Sequence, residues 1–157
     1  MMAAAISRES AGTCFGGAVS ASLRRGNIVK SSDFLGRVIL VVEDEPLIAL
    51  DLKTTLEAAG AKVICTNARE ASHIAARSHL SAAVLDARPG SGDHRPIARW
   101  LKRRGLPFLF YSTHPPEDVT TVRGAPIVLK PERPEEIVAA VALLLRSGCA
   151  ESTGGGS

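Results

Sequence analysis

Five side chains in this 157-residue chain have the types and the placement for phosphoryl chemistry. Glu43 and Asp44 follow the apolar run Val38–Val42. Asp86 closes a second apolar run, Ser112 closes a third, and Lys130 follows a fourth. Two adjacent carboxylates repel each other and need a cation or a proton. Glu43, Asp44 and Asp86 offer hard oxygen ligands suited to Mg2+, which also keeps several waters. A carboxylate can attack a phosphoryl group and form an acyl phosphate. A metal ion neutralises charge on the phosphoryl oxygens. The Lys130 ammonium can pair with one such oxygen and the Ser112 hydroxyl can donate to another. Asp86 is the expected nucleophile, because it stands alone at its strand end before a Gly-containing loop.

These groups meet only if the elements that carry them are neighbours. Val38–Val42 has the length and β-branching of a strand buried on both faces. A helix over 46–59 follows, with Pro46 suited to a first turn and Gly60 to a stop. A strand over 62–66 leads to a helix over 68–78, with Asn67 and Glu70 as a capping pair. A strand over 82–86, a loop over 89–92 and a helix over 93–104 ending at Gly105 come next. A strand over 107–112 precedes residues 113–125, where Pro115, Pro116 and Gly124 leave room for a short helix at most. The strand 127–129 then leads through Lys130 and Pro131 to a last helix over 134–146, closed by Gly148. Five strands alternating with helices over short connections predict an α/β fold. It is a doubly wound parallel sheet of flavodoxin-like type with helices on both faces. The order 2-1-3-4-5 brings all five side chains to one carboxyl edge, where such sheets bind ligands.

Composition narrows the function classes. The chain is 45% hydrophobic and 22% charged, as a globular domain with a real core would be. The net charge of +3 gathers in residues 1–37, which carry five basic and two acidic side chains, so the expected fold is near neutral. With aromatics at 4% and no basic stripe, a nucleic-acid partner is not expected. No apolar run nears the ~18 residues of a membrane span. Cys14, Cys65 and Cys149 form no C-x-x-C pair, which suits a reduced, cytoplasmic protein. Residues 1–36 are Gly-, Ala- and Ser-rich and are expected to be a disordered extension. Residues 37–147 are expected to be the domain, and 148–157 a flexible tail. Gly12 to Gly17 has the outer spacing of a phosphate loop. However, Ala18 and Val19 stand where Lys and Ser/Thr are required, which excludes it.

Taken singly, each residue has a bland reading. Acids after a strand often serve a helix N-terminus, as Glu45 is expected to do. Lys130 could be a solvated lysine. Lys102, Arg103 and Arg104 read as a solvated helix end, and Trp100 as partly buried. His73, His79, His94 and His114 share no ligand spacing and read as surface residues. It is the joint placement of the five at strand ends that points to a site.

Four stretches resemble the receiver domain of the two-component response regulators. They are Val-Val-Glu-Asp-Glu-Pro-Leu (41–47), Ala-Val-Leu-Asp-Ala (83–87), Pro-Phe-Leu-Phe-Tyr-Ser-Thr (107–113) and Val-Leu-Lys-Pro (128–131). The resemblance spans about 37–147. It implies phosphotransfer from a histidine kinase or a histidine phosphotransfer protein to Asp86 with Mg2+. It also implies that Asp44 binds the metal directly and Glu43 through water. The backbone carbonyl of Arg88 is a further implied ligand, Ser112 the switch hydroxyl and Lys130 the matching lysine. The sequence departs from the pattern at Arg88, in the 89–91 loop and at Ile127, which stands at a frequently aromatic switch position. The expectation is a stand-alone receiver, monomer or weak dimer, whose output goes through an unknown partner protein or which serves as a phosphate sink or relay. It would be no enzyme beyond its own phosphorylation and dephosphorylation. A pseudo-receiver that binds without phosphorylation is one alternative. A phosphatase of the haloacid-dehalogenase type is another, opposed by Arg88 where that chemistry wants a second Asp.

Overall fold

A computed structural model describes residues 29–87, 92–113, 125–130 and 133–149. The strands are β1 (Val38–Val42), β2 (Lys62–Thr66), β3 (Ala82–Asp86), β4 (Phe108–Ser112) and β5 (Ile127–Leu129). The helices are α1 (Pro46–Ala58), α2 (Ala71–Ala76), α3 (Arg95–Arg103) and α4 (Pro134–Cys149). All strand pairs are parallel, and the sheet runs β2-β1-β3-β4-β5, as expected from the sequence. Residues 1–28 of the expected extension, the Arg88 carbonyl, the 89–91 loop, residues 114–124 with His114, Pro131 and residues 150–157 lie outside the described residues.

Strand alternation sorts the core into two layers. Ile39 and Val41 face α1 and α4, where they meet Leu52, Leu56, Ile137, Val141 and Leu145. Leu40, Val42 and Leu85 face α2 and α3, where they meet Ala71, Ala75, Ile97 and Leu101. Each large side chain so enclosed contributes about 1.5–3 kcal/mol by leaving water. The central strands β1 and β3 are buried almost throughout, while the edge strand β2 is largely open. Cys65, on β2, is an exposed free thiol.

Two helices end alike. After α1, Gly60 has φ +108, its N–H donates to Glu57 O, and Ala61 N–H donates to Leu56 O. After α3, Gly105 has φ +66, with the matching bonds to Lys102 O and from Leu106 to Leu101 O. This is the six-to-one closure that needs a left-handed residue.

Among the boundaries that differ from the expectation, three have a visible cause or consequence. Asn67 Oδ1 does accept the Glu70 N–H at 2.9 Å, but it caps a turn, and α2 begins only at Ala71. Gly148 does not close the last helix, which runs to Cys149. A Cβ at Gly148 would lie 3.3 Å from Pro107 Cγ, so glycine here serves close approach and not a stop. At the other end, residues 29–36 belong to the fold. Ser31–Asp33 form a 3-10 turn, Lys30 N–H donates to Asp33 Oδ2, and Phe34 is fully buried beside α1 and α4. Arg146 Nη2 meets Asp33 Oδ2 at 2.6 Å, tying this turn to α4.

Candidate functional site

The sheet brings Glu43, Asp44, Asp86, Ser112 and Lys130 to its carboxyl edge. Glu43 and Asp44 follow β1, Asp86 and Ser112 end β3 and β4, and Lys130 follows β5. Alternation then splits them. Glu43, Asp86 and Lys130 continue the parity of Val41, Val84 and Val128, which face α1 and α4. Asp44 and Ser112 continue the parity of Val42 and Phe110, which face α2 and α3.

On the first side, one ammonium serves two carboxylates. Lys130 Nζ lies 2.9 Å from Glu43 Oε2 and 3.1 Å from Asp86 Oδ1. The side chains are 7%, 1% and 0% exposed respectively, so the cluster is almost dry. Buried carboxylates persist only when paired and hydrogen-bonded. Glu43 meets that need twice, because its Oε1 also accepts the Glu45 N–H at 3.0 Å. Lys130 is fixed from its backbone too, where its N–H donates to Ser112 O at 2.6 Å. The sequence left open a solvated Lys130; the structure buries and pairs it.

On the second side, Asp44 is exposed and accepts two backbone N–H groups. Ala68 donates to Oδ1 at 3.2 Å and Gly92 to Oδ2 at 3.3 Å. Ser112 is fully buried at the end of β4.

Two residues that sequence reasoning did not assign stand beside this cluster. His94 is buried at the start of α3, not on the surface as its type and spacing suggested. Burial pulls its pKa below the ordinary 6.5, against the opposing pull of Asp86, Asp44 and Glu43. Tyr111, the register partner of Asp86, places its ring 4.6 Å from Lys130 Nζ. A strand register would have revealed Tyr111, since it shares the parity of Leu109. Nothing local in the sequence marks His94. Trp100 is partly buried, as expected, and stacks under Arg104 at 5.0 Å.

The donor chemistry suits a hard divalent ion. Two carboxylates face the one ammonium and a third, Asp44, shares the same sheet edge, which leaves surplus negative charge among oxygen ligands. Among the described residues, no three acidic, His or Cys side chains converge as the ligands of one ion do. Asp44 is held by the Ala68 and Gly92 N–H groups.

No family model matches the chain. Among curated proteins, the chain is 32% identical over 114 residues to the phyllosphere-induced regulator PhyR of Methylorubrum extorquens. That alignment covers 68% of this chain and 43% of the regulator, so the chain spans less than half of that relative's length. Among solved structures, a response regulator receiver protein from Sinorhizobium medicae superposes with a TM-score of 0.63 at 24% identity. It covers 71% of this chain and 96% of that one. The anti-anti-sigma factor PhyR from Bartonella quintana superposes with a TM-score of 0.62 at 22% identity, over 78% of this chain and 53% of that one.

Proposed function

We propose that this chain, which has the fold of the response regulator receivers, accepts a phosphoryl group onto Asp86. The donor is a histidine kinase or a histidine phosphotransfer protein, and Mg2+ assists. The observation that carries this reading is the dry cluster in which Lys130 holds both Asp86 and Glu43 at the carboxyl edge of the sheet.

The chain's own groups suggest the course of the transfer. A carboxylate oxygen of Asp86 attacks the phosphorus, the bond from phosphorus to the donor's ring-protonated imidazole breaks, and its electron pair leaves on the imidazole, which departs neutral. Lys130 holds the Asp86 carboxylate in place before attack, and its ammonium is then at hand for a phosphoryl oxygen. The Ser112 hydroxyl is the donor for a second one. Asp44, Asp86 and the Arg88 carbonyl would hold Mg2+ directly and Glu43 through water. The bound ion supplies neutralisation of the phosphoryl oxygens. Phosphorylation would shift the domain between two conformations.

Output passes to a partner protein, or the domain acts as a phosphate sink or relay. A protein partner is supported by the anti-anti-sigma role named for one solved neighbour. We place the chain in the cytoplasm as a monomer or weak dimer, acting on no substrate beyond its own phosphoryl group and on no nucleic acid. No helix among the described residues is long and apolar enough to cross a membrane.

The test is phosphorylation by acetyl phosphate with Mg2+, read by mass spectrometry. The wild type gains one phosphoryl group and Asp86→Asn gains none. A phosphorylated Asp86→Asn variant would end the assignment. The turn of Asp44 toward Ala68 and Gly92 favours a second reading, a pseudo-receiver that binds partners without phosphorylation. Titration with Mg2+ and beryllofluoride separates the two, since a pseudo-receiver binds no phosphoryl mimic.

A further inference from the structure

We propose that Tyr111 is a positioning residue for phosphoryl transfer at Asp86, acting through Lys130. The proposal rests on the phospho-acceptor reading above and adds a residue to it.

The geometry begins with the sheet register. Tyr111 on β4 pairs with Asp86 on β3 and with Val128 on β5. It therefore stands in the row between the acceptor strand and the strand that leads into Lys130. By alternation its ring lies on the same sheet face as all three charged groups, and it packs half-buried against the core between α1 and α4. The Lys130 ammonium is thus bounded on three sides. Glu43 Oε2 lies at 2.9 Å, Asp86 Oδ1 at 3.1 Å and the Tyr111 ring centroid at 4.6 Å. The two carboxylates take directed hydrogen bonds. The ring offers its negative π-face to the same cation, within the distance at which such contacts are effective.

Each surface does a different job. Carboxylates alone would hold the ammonium in the unphosphorylated state, but Asp86 changes its charge and shape on phosphorylation. The ring does not. It keeps the ammonium at the acceptor while the lysine exchanges a carboxylate oxygen for a phosphoryl oxygen. Holding a charged group in reacting position lowers the barrier without altering the affinity for the donor. An aliphatic residue at 111 would fill the space and supply no such third side.

Three variants test this in the intact chain. Tyr111→Phe keeps the ring, Tyr111→Leu keeps apolar bulk without it, and Tyr111→Met serves the same comparison should the leucine variant unfold. In the metal-free, unphosphorylated protein, the Hε protons of Lys130 are shifted upfield by the ring in wild type and Tyr111→Phe, and lose that shift in Tyr111→Leu. With acetyl phosphate and Mg2+, the maximal phosphorylation rate falls about tenfold in Tyr111→Leu with little change in half-saturation, and stays within about twofold in Tyr111→Phe. A folded Tyr111→Leu protein with the wild-type rate overturns the proposal. So does an equal loss in both variants, which would assign the effect to the hydroxyl. A wild type that takes no phosphoryl group sinks the receiver reading itself. The Lys130 shift surviving alone would then reduce Tyr111 to a structural neighbour.

Discussion

One ammonium between two enclosed carboxylates makes Lys130 the residue on which the site depends. Removing one partner of a buried ion pair leaves the other charge dry and uncompensated, and here it would leave two. Lys130→Met should therefore lower unfolding free energy by about 3–5 kcal/mol, measured by urea denaturation at neutral pH without metal. Saturating Mg2+ should narrow the gap to wild type, because two carboxylates without their ammonium would bind the ion more tightly and so gain more from it by mass action. A loss below about 1 kcal/mol would mean that water reaches the carboxylates and that the pair is effectively a surface one. The identities of these residues were legible in the sequence, because an acid or a lysine ending a buried apolar run has few reasons to be there. Their partners were not. Lys130 and Glu43 lie 87 positions apart, and no periodicity shows that one Nζ serves both Glu43 and Asp86. His94 misled for a related reason. A histidine beside Asp93 and Arg95 in a polar stretch looks solvated, and only the seating of α3 on the sheet buries it.

At the scale of elements, glycine carries the most readable information and also the most misleading. Gly105 closes α3 at φ +66 with open space where a Cβ would go, so a substitution there meets backbone strain alone. Gly105→Ala should destabilise the domain by about 1–2 kcal/mol in thermal or urea unfolding, the usual penalty of a left-handed residue with a Cβ. An unchanged midpoint would show that the chain leaves α3 by another conformation. The sequence marked Gly60 and Gly105 as stops because both follow amphipathic runs and precede an apolar strand. Gly148 also follows an amphipathic run, yet the helix continues through it. What places glycine there is Pro107, a contact 41 residues away in sequence that no local pattern records. The strands needed no such help. Runs of Val, Ile and Leu bounded by charges locate β1, β3 and β5 to the residue, and β4 to within one.

For the whole molecule, the sheet order was legible because the four strands that carry the five residues must be neighbours for those residues to meet, and the order 2-1-3-4-5 achieves that. The start of the domain was not legible. Residues 29–36 are too short to show a period, and Phe34 is a single aromatic in a polar stretch. What binds this segment is the Phe34 ring in the core and Asp33 on Arg146. The Arg146 guanidinium, helped by the Lys30 N–H, holds the Asp33 carboxyl below its ordinary value of 3.8. A lowered folded pKa adds stability above the unfolded value and gives it up as pH falls through the folded one. Asp33→Asn should therefore be less stable than wild type at pH 7, and the difference should close below pH 3.8 in urea titrations across that range. A difference that persists in acid would mean that the turn is held by shape and not by charge. The same clasp brings the first and last described elements side by side, so the backbone of the domain is nearly a ring. Its ends could be joined by a short linker and the chain reopened at an exposed turn, with little loop-closure entropy to overcome. The order of elements along the chain would change, while the edge that carries Asp86, Lys130 and Tyr111 would be assembled as before.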